Sequence, residues 1–80
     1  MNQETESTLE THDIYLAAYL MLSGCILVRK RAQGMRQFFI FSNPGGPIKE
    51  LRDAYFSGTA LVKPHDYAQK LIACKQLLFE

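Results

Sequence analysis

The chain opens on a polar stretch. Residues 1–11 are rich in Glu and Thr and show no apolar periodicity. Such a segment cannot bury enough surface to offset the entropy of ordering it, so residues 1–12 are expected to be a disordered acidic tail. A single α+β domain is expected over residues 13–80. From Ile14 to Leu22 every residue is apolar or aromatic, which predicts a helix buried on most sides. Asp13 is well suited to cap its start, with Thr11 a weaker rival. Ala17 and Ala18 would let a neighbour approach closely, and Gly24 suits the left-handed turn that ends a helix.

Two strand-like runs follow, Cys25-Ile26-Leu27-Val28-Arg29-Lys30-Arg31 and Arg36-Gln37-Phe38-Phe39-Ile40-Phe41-Ser42. Ala32-Gln33-Gly34-Met35 would join them as a hairpin with a longer loop. Alternation along the second run sets Phe39 and Phe41 on one face and Phe38 and Ile40 on the other. One face should pack on helices; the other is either covered too or left as an exposed apolar patch. Asn43-Pro44-Gly45-Gly46-Pro47 breaks the pattern, and Pro47 fits the first position of a second helix. Ile48, Leu51 and Tyr55 give that helix its buried stripe, and Gly58 can stop it. Ala60-Leu61-Val62 is a candidate short third strand. Pro64 opens a last helix, whose inward residues would be Tyr67, Leu71, Cys74 and Leu78, helped by Ile72 and Leu77. The order is α-β-β-α-(β)-α: three helices around a central antiparallel hairpin.

Composition narrows this picture. Eighty residues, 48% of them hydrophobic, make one domain that buries only about 60% of the surface its unfolded chain exposes. A thin stability margin of this kind would gain from a dimer or a complex. The charge-free run over residues 14–28 is too short to span a bilayer, and Ser23-Gly24 interrupts it. The first ten residues lack the positive charge that begins a secretory leader, so a cytoplasmic location without membrane contact is expected. The net charge of +1 hides an asymmetry. Glu4, Glu6, Glu10 and Asp13 precede Ile14 with no Lys or Arg, whereas the rest sets nine Lys and Arg against four acids, a balance of +5. That split suits an anionic partner, or a tail that merely solubilises.

Motifs for catalysis or metal binding do not emerge. Cys25 and Cys74 match no zinc spacing and read as buried small apolar side chains. Pro44-Gly45-Gly46-Pro47 precedes a helix start but lacks the Gly-Lys-Ser/Thr of a phosphate loop, and Pro47 has no N–H to donate. His12 beside Asp13 and His65 beside Asp66 are neighbours in sequence, with no nucleophile evident. No cofactor, no metal and no catalytic residue are expected.

Tyr15-x-Ala17-Ala18-Tyr19-Leu20, Gly24, a hairpin ending Phe39-Ile40-Phe41, the step Tyr55-Phe56-Ser57-Gly58-Thr59-Ala60-Leu61-Val62 and the closing Leu71…Lys75…Leu78 together look familiar. Over residues 13–79 the chain resembles a family of small prokaryotic domains, about 70–80 residues long, catalogued only as a domain of unknown function. The resemblance implies the architecture above and a prokaryotic or mobile-element origin; it implies no activity. The chain departs from that pattern in having Asn43-Pro44-Gly45-Gly46 where acidic residues are expected, and in its more basic first strand, with Arg29 and Arg31.

The strongest chemical signal is the hairpin. Arg29, Lys30, Arg31 and Arg36 flank its loop, and no acid lies between Cys25 and Ser42. Cations of this kind neutralise phosphates, and aromatics beside them stack on bases; they also serve simply to protect a solvated hairpin tip from aggregation. The functional expectation is a non-enzymatic binding module that engages nucleic acid or a nucleoprotein surface through Arg29, Lys30, Arg31, Arg36, Phe38 and Ile40. The alternative is a small mobile-element type of protein-interaction factor, an inhibitor or adaptor, which pairs with itself or another protein through Phe38, Ile40 and Phe56.

Overall fold

A computed structural model describes residues 8–78. Six elements run in the order β1 (Thr8–Thr11), α1 (Ile14–Leu22), β2 (Ile26–Gln33), β3 (Arg36–Ser42), α2 (Ile48–Ser57) and α3 (Pro64–Leu77). The strands form one antiparallel sheet in the order β1-β3-β2. The helices pack on one face of it, so the class is α+β.

Helix α1 begins where the sequence places it, and the cap explains why. The Asp13 carboxylate accepts from the backbone N–H of Tyr15 at 2.9 Å and of Leu16 at 3.3 Å. Thr11 does not compete for that role; its hydroxyl oxygen accepts from the N–H of Asp13 at 3.0 Å, steadying the cap itself. Leu16, Ala17, Ala18, Tyr19 and Leu20 are all buried, as a helix apolar on all sides requires. The helix ends on Ser23, and Gly24 takes a φ of 94° that turns the chain back, so that Cys25 is buried and donates its N–H to Leu20. Helix α1 is the hub: α3 packs along it, and α2 touches both α1 and β1.

The third strand comes from an unexpected place. Residues 60–62 pair with no strand, and Leu61 is 93% exposed. Thr8–Thr11, expected to be tail, instead pairs with the far edge of β3: Leu9 opposite Phe41 and Thr11 opposite Phe39. Residues 1–7 of the expected tail lie outside the described residues. The physical reason is the burial of β3. Phe39 and Phe41 are both 0% exposed, and backbone groups buried beside them need hydrogen-bond partners on both sides. Thr8-Leu9-Glu10-Thr11 supplies these with one apolar side chain turned to the helices. Four residues are too few for the alternation to stand out in sequence. The hairpin is also tighter than expected. Gln33 pairs with Arg36, leaving a two-residue turn of Gly34 and Met35, with φ of 62° at Gly34. Glycine first is the pattern of a type II′ turn, which matches strand twist.

One register shift shapes the molecule. Leu27 pairs with Phe41, and Arg29 with the very next residue back along β3, Ile40, so Val28 is bulged out. Simple alternation would put Leu27, Arg29 and Arg31 on one face. The extra residue changes the phase: Leu27 turns to the helices, whereas Arg29 and Arg31 turn away from them.

The core gathers Leu16, Ala17, Ala18, Tyr19, Leu20, Cys25, Phe39, Phe41, Ile48 and Cys74, with Leu9, Leu27, Leu51, Tyr55, Tyr67 and Leu71 packed around it. Ile72, expected to help the inward face of α3, is 52% exposed instead. Burial pushes the thiols of Cys25 and Cys74 up from the ordinary cysteine value, which keeps both protonated and unreactive.

Two polar contacts tie α3 down. Lys30 Nζ donates to the carbonyl of Leu77 at 2.7 Å, placing a cation at the negative end of the helix. Tyr67 Oη donates to the carbonyl of Tyr15 at 2.8 Å. Burial, helped by the negative charge that Tyr55 and Asp13 bring nearby, pushes the Tyr67 hydroxyl up to about 12 from 10.0. A phenol whose folded value is raised contributes fully below the unfolded value. That contribution is lost as pH climbs from about 10 to about 12, because only the unfolded chain releases its proton freely there. Urea midpoints should therefore fall across this window, and Tyr67→Phe should fall less steeply. Parallel curves would mean that Tyr67 does not carry the effect.

Candidate ligand-binding face

The helices cover the face of the sheet that bears Phe39 and Phe41. The opposite face carries Thr8 and Glu10 of β1, Arg36, Phe38, Ile40 and Ser42 of β3, and Ile26, Arg29, Arg31 and Gln33 of β2, as the pairing registers require. Among the described residues, Ile26, Val28, Phe38 and Ile40 take no part in the helix-side core. Ile26 and Val28 are each 53% exposed, and Phe38 and Ile40 are half-buried. This face is open.

At its centre stands Phe38. The Arg31 guanidinium lies over the ring, 4.7 Å from its centroid. The His12 ring also meets Phe38 edge-on, at 5.3 Å between centroids. Arg31 is itself held by Glu10, with Nε 2.6 Å from a carboxylate oxygen, and by Gln33, with Nη1 2.7 Å from the side-chain carbonyl. The ion pair sits at a half-exposed surface, where such pairs contribute between nothing and about 1 kcal/mol. An incoming phosphate can therefore compete for Arg31 without a large penalty. Arg36 lies within 3.3 Å of the His12 ring nitrogen Nε2. Arg29 is exposed and makes no ion pair among the described residues.

Of the six residues the sequence singled out, the structure brings five to this face: Arg29, Arg31, Arg36, Phe38 and Ile40. Lys30 is not with them. It pairs with Phe39 on the helix side, and its ammonium group is engaged at the end of α3. Phe56, the other aromatic considered for an interface, is exposed on α2, where it packs edge-on against Tyr55. Sequence reasoning missed Glu10, His12 and Gln33, which set the state of Arg31, Arg36 and Phe38. The available signal was the Thr-Leu-Glu-Thr alternation, masked by its polar, tail-like surroundings.

By charge, the face offers three arginines against Glu10, a surplus of two positive charges with His12 neutral. Its chemistry is that of an anion-receptive surface with an aromatic ring in the middle and aliphatic groups beside it. His65 is exposed at the start of α3. Among the described residues, no three His, Cys, Asp or Glu side chains gather as a metal site, and no helix is long and apolar enough to cross a membrane. Comparison with protein-family models, with curated proteins and with solved structures gave no match to this chain.

Proposed function

We propose that this chain is a non-enzymatic binding module that engages nucleic acid, naked or as nucleoprotein, across the open face of its sheet. The observation that carries this reading is the uncovered face itself, where Arg29, Arg31 and Arg36 surround Phe38 and Ile40. Lys30 belongs to the fold in this reading and not to the contact surface. Isolated arginines protect many sheet edges; three of them around a half-buried aromatic ring outside the core offer both halves of nucleic-acid recognition, charge for the backbone and a flat apolar surface for the bases.

The test is a salt titration. Fluorescence anisotropy with a labelled oligonucleotide should give an affinity that falls with salt, on a log–log slope of about −2 for three phosphate contacts to a single strand. Between 50 and 200 mM salt this amounts to a roughly tenfold to twentyfold loss. Absence of binding at low salt, or an affinity indifferent to salt, rejects the reading.

A second reading, a protein-interaction factor of the inhibitor or adaptor kind, draws on Ile26 and Val28, both half exposed beside Ile40. Aliphatic groups on an open sheet suit a protein surface or a second copy of the chain. Capture of a protein partner that survives nuclease treatment and high salt would favour it.

A further inference from the structure

Building on the nucleic-acid reading, we propose that the strand bound across this face is unpaired. The ring of Phe38 suits an unpaired base. It is outside the core, and one side already accommodates a flat, delocalised group, the Arg31 guanidinium at 4.7 Å. A nucleobase is the same kind of partner, flat and polarisable, and base–aromatic stacking is tolerant of sequence. In a duplex the base faces are stacked on one another and only their edges reach the grooves. A duplex would leave Phe38, and Ile26, Val28 and Ile40 near it, with nothing to cover them.

The arginines are spaced to follow a phosphate backbone. Arg36, Arg31 and Arg29 stand in three consecutive outward rows of the β2–β3 ladder, through the pairs Gln33–Arg36, Arg31–Phe38 and Arg29–Ile40. Outward rows are about 6.8 Å apart, since a strand rises about 3.4 Å per residue and alternate residues share a face. Successive phosphates of one strand wind around a duplex axis, so their direct separation exceeds the axial rise of about 3.4 Å, and the rows suit the backbone of either form. Only an unpaired strand can lay phosphates along these rows while also presenting a base face to Phe38. Glu10 marks the place of an anion. Its carboxylate already occupies Arg31, as a phosphate oxygen would. The strand exchanges one anion for another at Arg31, and a base takes the guanidinium's place over Phe38.

Anisotropy titrations with a labelled oligothymidine of roughly ten nucleotides, within the usual footprint of single-strand binders, and with a duplex of the same length will test this. The single strand should bind at least about tenfold more tightly. Phe38→Ala and Phe38→Leu should each weaken it by roughly tenfold while leaving the salt slope unchanged, because they remove a stacking surface and no charge. Phe38→Leu keeps apolar bulk in place, so a loss there speaks for the aromatic face, and far-ultraviolet circular dichroism reports whether the variants remain folded. Equal affinity for both forms, a duplex preference, or full affinity in the folded Phe38→Leu protein would overturn the unpaired-strand proposal while leaving a nucleic-acid binder in place. Binding to neither form would overturn both readings.

Discussion

Phe39→Ala should unfold much of the protein at room temperature, whereas Phe38→Ala, one residue earlier, should leave it folded. Phe39 is 0% exposed, at the centre of the sheet's helix side among the core residues. Replacing a buried Phe by Ala costs about 3–5 kcal/mol through lost transfer energy and the cavity left behind. A domain of this length has roughly 4–12 kcal/mol of stability in total, at about 0.05–0.15 kcal/mol per residue. The loss equals the low end of that margin, where a chain that buries so small a share of its surface belongs. Phe38 lies on the opposite face outside the core, and its truncation should cost about 1 kcal/mol, the ordinary effect of a point mutation. Urea unfolding of the two variants measures both values. Similar costs would mean that the two sheet faces are not as unlike as the burial indicates.

The second large effect concerns binding. Arg29→Glu combined with Arg31→Glu should weaken oligonucleotide affinity by about a hundredfold or more, near 2.8 kcal/mol. Two phosphate contacts are lost and two like charges are set against the backbone. The fold should tolerate the change. Arg29 is exposed, and the Arg31–Glu10 pair lies at the surface, where its loss costs little. The informative control is Lys30→Gln, between the two arginines. It removes the donor to the Leu77 carbonyl at the end of α3, so it should lower stability by about 0.5–1.5 kcal/mol and leave affinity nearly unchanged. If Lys30→Gln weakened binding as much as the arginine reversals do, strand charge in bulk, and not an arranged face, would be what the ligand reads.

Much of the architecture was legible in the residues. The helix at Ile14–Leu22 follows from an unbroken apolar run behind Asp13. The stop at Gly58 follows from its left-handed φ of 81°, and the shared face of Phe39 and Phe41 from alternation. What was not legible depended on partners distant in sequence. Thr8–Thr11 becomes a strand because β3 has a second edge to satisfy, and nothing within a polar four-residue segment announces that. The candidate strand at residues 60–62 had better local propensity and pairs with no strand. The face was half legible: the arginines and Phe38 stood out, whereas Glu10, on the strand that local pattern could not reveal, and His12, just after that strand, engage them.

Val28 has a consequence for how kindred chains should be compared. Because it stands outside the ladder between Leu27 and Arg29, it acts as a phase shifter for everything after it in β2. Were it drawn into the ladder instead, Arg29 and Arg31 would turn into the hydrophobic interior and Lys30 would swing out to solvent, with no letter of the sequence altered. Deleting it would leave Leu27 opposite Phe41 and Arg29 opposite Ile40, so the outward cations would survive on an unbulged strand. A homologue could thus retain each arginine and still lack this surface, or lose the extra residue and keep it. The pairing of the first cation after Leu27 with the residue just before Phe41 is a better marker of the trait than the cation's identity.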